Sequence, residues 1–398
     1  MAIAGLTVVL VYQRMLPYHK DRFDALSAKI ASLGGRCFAV EVASIDSSYG
    51  DIDGGAEGRY SGSVIRLFDS ADYLTLQARD VAAQVCDSLK RLGADVVFSP
   101  APAFAEGAGA LHYKVRHGGK LILMDDAWSA TDHTGWVTRM VKRLFYGYID
   151  GGFFPARLHG GYFAMLNIPL IRQRYGVNAV APFTQYSGTT ELLSLSLETP
   201  FLVFVGRLVA IKNLEVVLDA LASVERKDVS LVVIGDGPEL TALQHRAQGV
   251  GVADRVRWMG RLDNQLTRQV MAKSVALVLP SRQETWGLVV NEAWSAGVPV
   301  IGSDTVGALR ASLPPEMAWT MPPRGDSAAW RLAIDRLFSL TDDDRDSLIA
   351  TGYALANRYS LVNHVESAIE LIELAPRPPP AGVIGLVASL WQGRVAVW

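Results

Sequence analysis

Short apolar runs alternate with longer helical patterns along the whole chain. In the first half the runs are "LTVVLVY" (6–12), "CFAVEVA" (37–43), "VIRLF" (64–68), "ADVVFSP" (94–100), "KLILMDD" (120–126) and a weaker "GGFFP" (151–155). Between them, "RFDALSAKIASLG" (22–34) and "YLTLQARDVAAQVCDSLKRLG" (73–93) carry the helical period. The second half repeats the plan with "FLVFVGR" (201–207), "VSLVVIGDG" (229–237), "RVRWMG" (255–260), "VALVLPS" (275–281) and "VPVIGSD" (298–304). Runs that are apolar throughout belong to strands buried on both faces, and helices between them make parallel crossovers. The pattern predicts two doubly wound α/β domains. The Ser/Thr-rich stretch "PFTQYSGTTELLSLSLETP" (182–200), ending in Pro before a new first strand, marks the break. The expected division is 1–190, 191–358 and a C-terminal piece, 359–398.

Composition supports this. A chain of 398 residues suits two domains better than one. Half of its residues are hydrophobic and a fifth are charged, a globular balance. The net charge of −2 gives no electrostatic footprint for a nucleic-acid partner. Cys37 and Cys86 stand far apart in apolar surroundings. They read as core residues rather than a disulfide or zinc framework, which suits a reducing cytoplasm. The start lacks a basic segment before its short apolar run and reads as a strand rather than a signal peptide. No apolar stretch reaches the roughly 20 residues of a membrane span. The expectation is a soluble cytoplasmic protein, with peripheral contact at the inner face of a membrane left open.

In such sheets ligands bind outside the carboxyl ends of the strands, and two domains facing each other would make a cleft there. Three features of the second domain fall on that edge. "VGRLVAIKN" (205–213) offers Gly206 for a tight turn, the cations Arg207 and Lys212, and Asn213 as a cap for the next helix. A guanidinium and an ammonium at one strand end suit a diphosphate. "GDGPE" (235–239) ends the next strand with small residues that admit a ligand to the backbone. The helix "GLVVNEAWSAG", opening at Gly287 and closed by Gly297, presents free N–H groups and a positive dipole end. Glu292 falls in its second turn, where a buried carboxylate is costly without a partner. A ligand hydroxyl such as a ribose would supply one. Glu284, in the preceding loop, would face the far end of the ligand. Singly, each feature reads as a loop charge, a turn or a helix surface. Together, at the ends of successive strands, they read as a site.

From Phe201 to about Leu309 the chain resembles the donor domain of family 4 glycosyltransferases, retaining enzymes with the GT-B fold of two Rossmann-like domains. The segments that carry the resemblance are "GRLVAIKN", "LVVIGDGPE", "VRWMGRL" and "VLPSRQETWGLVVNEAWSAGVPVI", with Glu284 and Glu292 as a Glu-x7-Glu pair. Where many members have Glu-Gly-Phe-Gly, this chain has Glu284-Thr285-Trp286-Gly287. The resemblance implies a nucleotide-diphosphate sugar donor held by Gly206, Arg207, Lys212, Gly235, Gly287, Leu288 and Glu292. It implies Glu284 at the donor sugar and Glu292 at the ribose. It implies a hydroxyl acceptor on a glycan, a lipid-linked glycan or a small molecule, with bacterial surface or exopolysaccharide assembly as the family's habit. No cofactor or metal is implied, because two cations and a helix end take the leaving charge. The helix "SLVNHVESAIELIELA" (360–375) fits the family's C-terminal helix that returns to the first domain. A nucleotide-sugar epimerase and a non-catalytic nucleotide-sugar binder are the alternatives. A dinucleotide oxidoreductase fits poorly, since "GDGPEL" is a weak match to GxGxxG.

The first domain departs from the pattern. Its first loop, "QRMLPYHKDRF" (13–23), lacks the glycines that family members often carry there. Either Arg14, His19 and Lys20 take over part of the diphosphate contact, or the acceptor enters here. On the acceptor side the catalytic candidates are Asp126 and His133, with Asp125 beside them after "KLILMDD" and His159 after the next strand. "WVTRMVKRLFYGY" (136–148) reads as an amphipathic helix facing the core, with contact to an anionic membrane as the alternative. Asp342 to Asp344 read as a helix N-terminus and "GDIDGG" (50–55) as a loop, neither as a metal site. The tail "PRPPPAGVIGLVASLWQGRVAVW" (376–398) joins a stiff proline run to an apolar end, with the first domain, an oligomer partner and a lipid surface as its alternatives.

Overall fold

A computed structural model describes residues 3–46, 63–183, 200–380 and 383–395. The first sheet is built from β1 (Thr7–Tyr12), β2 (Arg36–Ile45), β3 (Val64–Asp72), β4 (Val96–Ser99), β5 (Lys120–Met124), β6 (Gly151–Phe154) and β7 (Gln173–Tyr175). All neighbours are parallel, in the order β3-β2-β1-β4-β5-β6-β7. The connecting helices are α1 (Pro17–Ser32), α2 (Ala78–Leu92), α3 (Ala105–His117), α4 (Trp136–Phe145) and α5 (Arg157–Met165). Alternation along β1 shows why its run is wholly apolar. Val9 and Val11 join one core, with Val81, Val85 and Leu89 of α2, while Val8 and Leu10 join the other, with Phe23, Leu26 and Ile30 of α1.

The second sheet comprises β8 (Phe201–Val205), β9 (Ser230–Ile234), β10 (Val256–Gly260), β11 (Ala276–Leu279) and β12 (Val300–Gly302). It is also parallel, in the order β10-β9-β8-β11-β12. Its helices are α6 (Glu215–Ser223), α7 (Leu240–Gly249), α8 (Asn264–Ala272), α9 (Leu288–Ser295), α10 (Gly307–Ser312), α11 (Ser327–Ser339) and α12 (Asp342–Arg358). Leu202 and Phe204 pack with Leu218 of α6 and with Trp330 and Ile334 of α11 in one core. Thr341 caps α12 by accepting from Asp344 N–H, and Asp342–Asp344 fill its first turn.

The chain divides into two compact units, Met1–Ala179 with Leu361–Trp398, and Val180–Ser360. The first unit thus includes α13 (Leu361–Glu373) and α14 (Val383–Leu390). Ala368, Leu371 and Ile372 of α13 share a core with α1. The tail packs on the first unit: Trp391 Nε1 donates to the Pro102 carbonyl at 2.7 Å, and Arg394 forms a strand-like bridge with Phe104. Cys37 and Cys86 are buried free thiols. Most of 182–200, all of 50–55 and Trp398 lie outside the described residues.

Three sequence expectations are corrected. The helix α1 begins at Pro17, five residues earlier than its apolar period suggested, because proline is pre-set for a first helical turn. "PYHKDRF" is therefore helix, not loop. Asn213 does not cap α6: its carboxamide donates to the carbonyls of Pro280 and Arg324 instead. And α4 turns only part of its apolar side to the core: Phe145 is buried there and Val141 packs against it, while Trp136, Val137, Met140 and Leu144 are exposed. The edge strand β7 had no signal in its three polar residues, "QRY".

Candidate functional site

The order β9-β8-β11-β12 makes β8 and β11 neighbours whose onward connections leave in opposite directions. A crevice opens at such a switch point, above the carboxyl ends of the two strands. The loops that leave those ends are stitched together. Arg282 N–H donates to the Ile211 carbonyl at 2.8 Å, and Asn213 holds the Pro280 carbonyl at 3.2 Å. A tight turn, Ala210–Lys212, carries Lys212 upward from β8. Its ammonium meets the Glu284 carboxylate in a direct ion pair, and Ser281 Oγ donates to the same carboxylate oxygen at 3.1 Å. The residue expected at the diphosphate and the one expected at the sugar are thus in contact with each other. The backbone of Glu284 is fixed as well, since its carbonyl accepts from Gly307 N–H at 3.1 Å.

Glycines set the spacing of this edge. Gly235 has φ +140°, and a Cβ there would lie 1.9 Å from the Gly206 carbonyl oxygen. A Cβ at Gly237 would come within 2.3 Å of the Leu208 carbonyl. "GDGPE" is small because its backbone is pressed against the loop after β8, a reason within the chain that was not foreseen. Gly287, at φ +93°, stands at the N-cap of α9 in a conformation that side chains resist. Leu288 is the first residue of α9 and half-buried. Arg207 follows β8 directly and is half-buried too.

Glu292 lies in the second turn of α9, and its carboxylate already has a partner. Arg268 Nη2, on α8, donates to Glu292 Oε1 at 3.0 Å, while Nη1 donates to the Ala181 carbonyl at 3.1 Å. Burial raises the Glu292 carboxyl above its usual range, and the Arg268 guanidinium opposes that. A ligand hydroxyl was the expected partner for this carboxylate; the chain itself supplies a cation as well. Sequence reasoning missed Arg268 because one arginine in the amphipathic stretch "NQLTRQVMA" carries no sign of what it touches.

In the first unit the candidates do not converge in the same way. His19 sits in the first turn of α1, stacked on Tyr12 with ring centroids 4.7 Å apart, and its Nδ1 lies 3.1 Å from the Arg14 carbonyl. Burial, with the nearby Arg22 charge, pushes its imidazole down to about 3. Lys20 pairs with Asp24 one turn on. Neither arrangement resembles an anion cradle. After β5, Asp125 accepts from Ala127 N–H at 2.8 Å, and burial pushes its carboxyl up to about 7. Asp126 is 3.5 Å from Asn178 Nδ2. His133 is exposed, whereas His159 is wholly buried in the first turn of α5, near Trp128. The centre of this region is Asp132, which sequence reasoning passed over. It accepts from Tyr162 Oη at 2.8 Å and from Thr134, with Arg139 and Lys142 beside it. Burial pushes Asp132 up, but those hydrogen bonds and the Lys142 charge outweigh it and hold it well below the usual range. Among the described residues no group of three or more His, Cys, Asp or Glu side chains is arranged to hold a metal ion, and no helix is long and apolar enough to cross a membrane.

Residues 193–354 match the family described as glycosyl transferases group 1. The chain is 30% identical over 182 residues to a D-inositol 3-phosphate glycosyltransferase of Xylanimonas cellulosilytica, covering 44% of this chain and 42% of that protein. It is 33% identical over 153 residues to a phosphatidyl-myo-inositol mannosyltransferase of Mycobacterium leprae, covering 37% and 39%. The chain thus spans less than half the length of these curated relatives. Solved structures match almost throughout. A glycosyltransferase from Rickettsia africae has a TM-score of 0.72 at 12% identity, over 93% of this chain and 98% of that one. Anabaena HepE in complex with UDP and glucose has a TM-score of 0.69 at 16% identity, over 92% and 99%. The fold class is therefore GT-B, and residues 193–354 carry the similarity to the glycosyl transferases group 1 family.

Proposed function

We propose that the protein is a retaining glycosyltransferase that moves a sugar from a nucleotide-diphosphate sugar to a hydroxyl acceptor. The observation that carries this reading is the meeting of Lys212 and Glu284 across the loops after β8 and β11, with Arg207 in the first of those loops. Two carboxylates, Glu284 and Glu292, and two cations, Arg207 and Lys212, all follow the carboxyl ends of the neighbouring strands β8 and β11. A bound diphosphate competes with Glu284 for Lys212, because it offers more charge and more acceptor oxygens. Glu284 is then released toward the sugar, with Ser281 still holding it. Glu292, steadied by Arg268, takes the ribose.

In the reaction the acceptor oxygen bonds to the anomeric carbon on the face the diphosphate leaves. The bond from that carbon to the phosphate oxygen breaks, and the acceptor proton passes to the departing phosphate. Arg207, Lys212 and the N-terminus of α9 hold the charge that develops. No metal or cofactor is needed for that role, so activity persists in EDTA. On the acceptor side, Asp126 and His133 remain the proposed contacts. The names of the relatives make inositol compounds the first acceptors to try, and the complex of HepE makes UDP-glucose the first donor.

The test begins with thermal shifts on UDP, GDP, ADP, dTDP and CDP, with and without Mg²⁺. A ligand that binds only the folded state raises the melting temperature by several degrees well above its Kd. One nucleotide is expected to do so, and Arg207→Ala to abolish the shift. The corresponding nucleotide-sugar is then offered with acceptors, and the product's anomeric configuration is read by NMR. Inverted product, or interconverted donor formed without an acceptor, defeats the retaining-transferase reading. A shift by no nucleotide defeats the donor site itself.

A further inference from the structure

The helix α4 turns part of its apolar side outward. Trp136, Val137, Met140 and Leu144 are all exposed, Trp136 at 77% of its possible surface. The end of α5 and the turn that follows it do the same with Met165, Leu170 and Ile171, the last at 80%. The exposed Leu386 and Leu390 of α14 add a third segment. The three are joined. Asn167 Nδ2 donates to the Arg143 carbonyl in α4 at 3.4 Å, Arg377 Nη1 donates to the carbonyls of both Tyr146 and Asn167, and the rings of Phe145 and Trp391 lie 5.3 Å apart. Scattered exposed apolar side chains are ordinary, but this many on three segments tied to one another mark a surface that meets something apolar.

Charge identifies what it meets. From Ala130 to Tyr175 the chain carries six Lys and Arg residues and two acids, Asp132 and Asp150, both of them buried. The chain as a whole is at −2, so the excess is local. Arg139 and Lys142 share Asp132, and Arg174 pairs with Glu370, while Arg143 and Arg157 add exposed cations. A second copy of the chain related by two-fold symmetry would set this basic face against itself. Side chains exposed to 80% do not line a groove for a peptide; they stand out from the surface. Protruding Trp and aliphatic side chains interleaved with Lys and Arg are the pattern of an element that lies in a lipid interface.

We propose that this face docks on an anionic lipid bilayer, with Trp136, Met140, Leu144 and Ile171 entering the headgroup layer and the flanking cations meeting lipid phosphates. The proposal does not depend on the transferase reading, since docking requires neither donor nor acceptor. The experiment floats the full chain with phosphatidylcholine vesicles, and with vesicles equimolar in phosphatidylcholine and phosphatidylglycerol. Binding is expected only to the second kind, and high salt weakens it. Trp136→Ser with Ile171→Ser, and separately Arg143→Glu with Arg157→Glu, each lower the partition at least about tenfold, each basic residue near the surface being worth about fivefold. All four positions are exposed, so unchanged melting curves certify that the variants fold. Three results overturn the proposal: no flotation with anionic vesicles, equal flotation by the wild type and both variants, or a wild-type dimer in sedimentation that both variants dissolve, which assigns the face to a second copy.

Discussion

The two sheets begin alike and diverge at the carboxyl ends of their first strands. In the second unit, β8 is followed by Gly206, whose N–H bonds to the Ile234 carbonyl at 3.0 Å, and by two cations, Arg207 and Lys212. In the first unit, β1 passes through Gln13 to Leu16 and enters α1 at Pro17. There the local groups satisfy one another. Met15 N–H is held by buried Glu41 at 2.8 Å, Gln13 by Asp46, and His19 lies neutral against Tyr12. One topology has produced two strand ends, and at the second an ion pair, Lys212 with Glu284, joins the loops of two neighbouring strands. Position in the fold makes a site available, but the polar groups that the chain leaves for a ligand decide whether it is used.

The sharpest way to break this contrast is to remove charge from each rim. Glu284→Ala and Lys212→Ala are expected to lower kcat/KM for sugar transfer by about 10² to 10³, the scale for a group that stabilises developing charge. His19→Gln in the first unit is expected to change it by less than tenfold. Steady-state rates with the donor found by thermal shift decide the matter. If the His19 variant loses as much as the Glu284 variant, the first rim is a working site and the contrast fails.

The second test is on backbone. Gly235→Ala places a methyl group 1.9 Å from the Gly206 carbonyl oxygen at φ +140°, so the loops after β8 and β9 must part. A loss of about 3 kcal/mol or more in urea unfolding is expected. Gly161→Ala, in α5 of the first unit, meets nothing within 4 Å and is expected to be neutral or slightly stabilising. Equal unfolding midpoints for the two variants would show that the donor-side loops are not held by close glycine contact.

How much of this was legible follows from what each signal depends on. The strands were visible because burial on both faces leaves unbroken runs such as "LVFV" and "LVVI". The donor-side residues were visible because they sit at short, fixed offsets from those strands. Partners were not visible: Arg268 with Glu292 and Tyr162 with Asp132 lie 24 and 30 residues apart and meet only through packing. The helix α4 was misread for a related reason. An amphipathic period reports two unlike faces, but not which of them the rest of the chain will cover.

Arg268 offers a finer test of the donor side. Its side chain is almost fully buried while that of Glu292 is a quarter exposed, so removing the guanidinium leaves the carboxylate under-compensated. Arg268→Met is expected to weaken nucleotide binding about tenfold and to cost about 2 kcal/mol in stability. Glu292→Gln in the same background should restore much of the stability but not the binding. Restored binding would mean that Glu292 does not contact the ligand.

The smallest effect probes a carboxyl without a cation. Glu106 of α3 is buried in the first unit, accepts from Tyr73 Oη at 2.9 Å, and is pushed up to about 7 by burial. The unfolded chain gives up this proton near pH 4.5, whereas the folded chain keeps it until about 7. Between those values the folded state binds more protons, so its stability falls as pH rises. The stabilising contribution is complete below pH 4.5 and gone above about 7. Asp125, raised to about 7 by burial, titrates in the same window, so the wild-type slope contains both groups. Glu106→Gln removes only one of them. Urea midpoints at pH 5, 6, 7 and 8 are expected to fall less steeply for the variant, which should be less stable than the wild type at pH 5 and about 1 kcal/mol more stable at pH 8. Parallel slopes would mean that Glu106 is ionised in the folded protein, and that the first unit, like the second, finds a countercharge for its buried carboxylates.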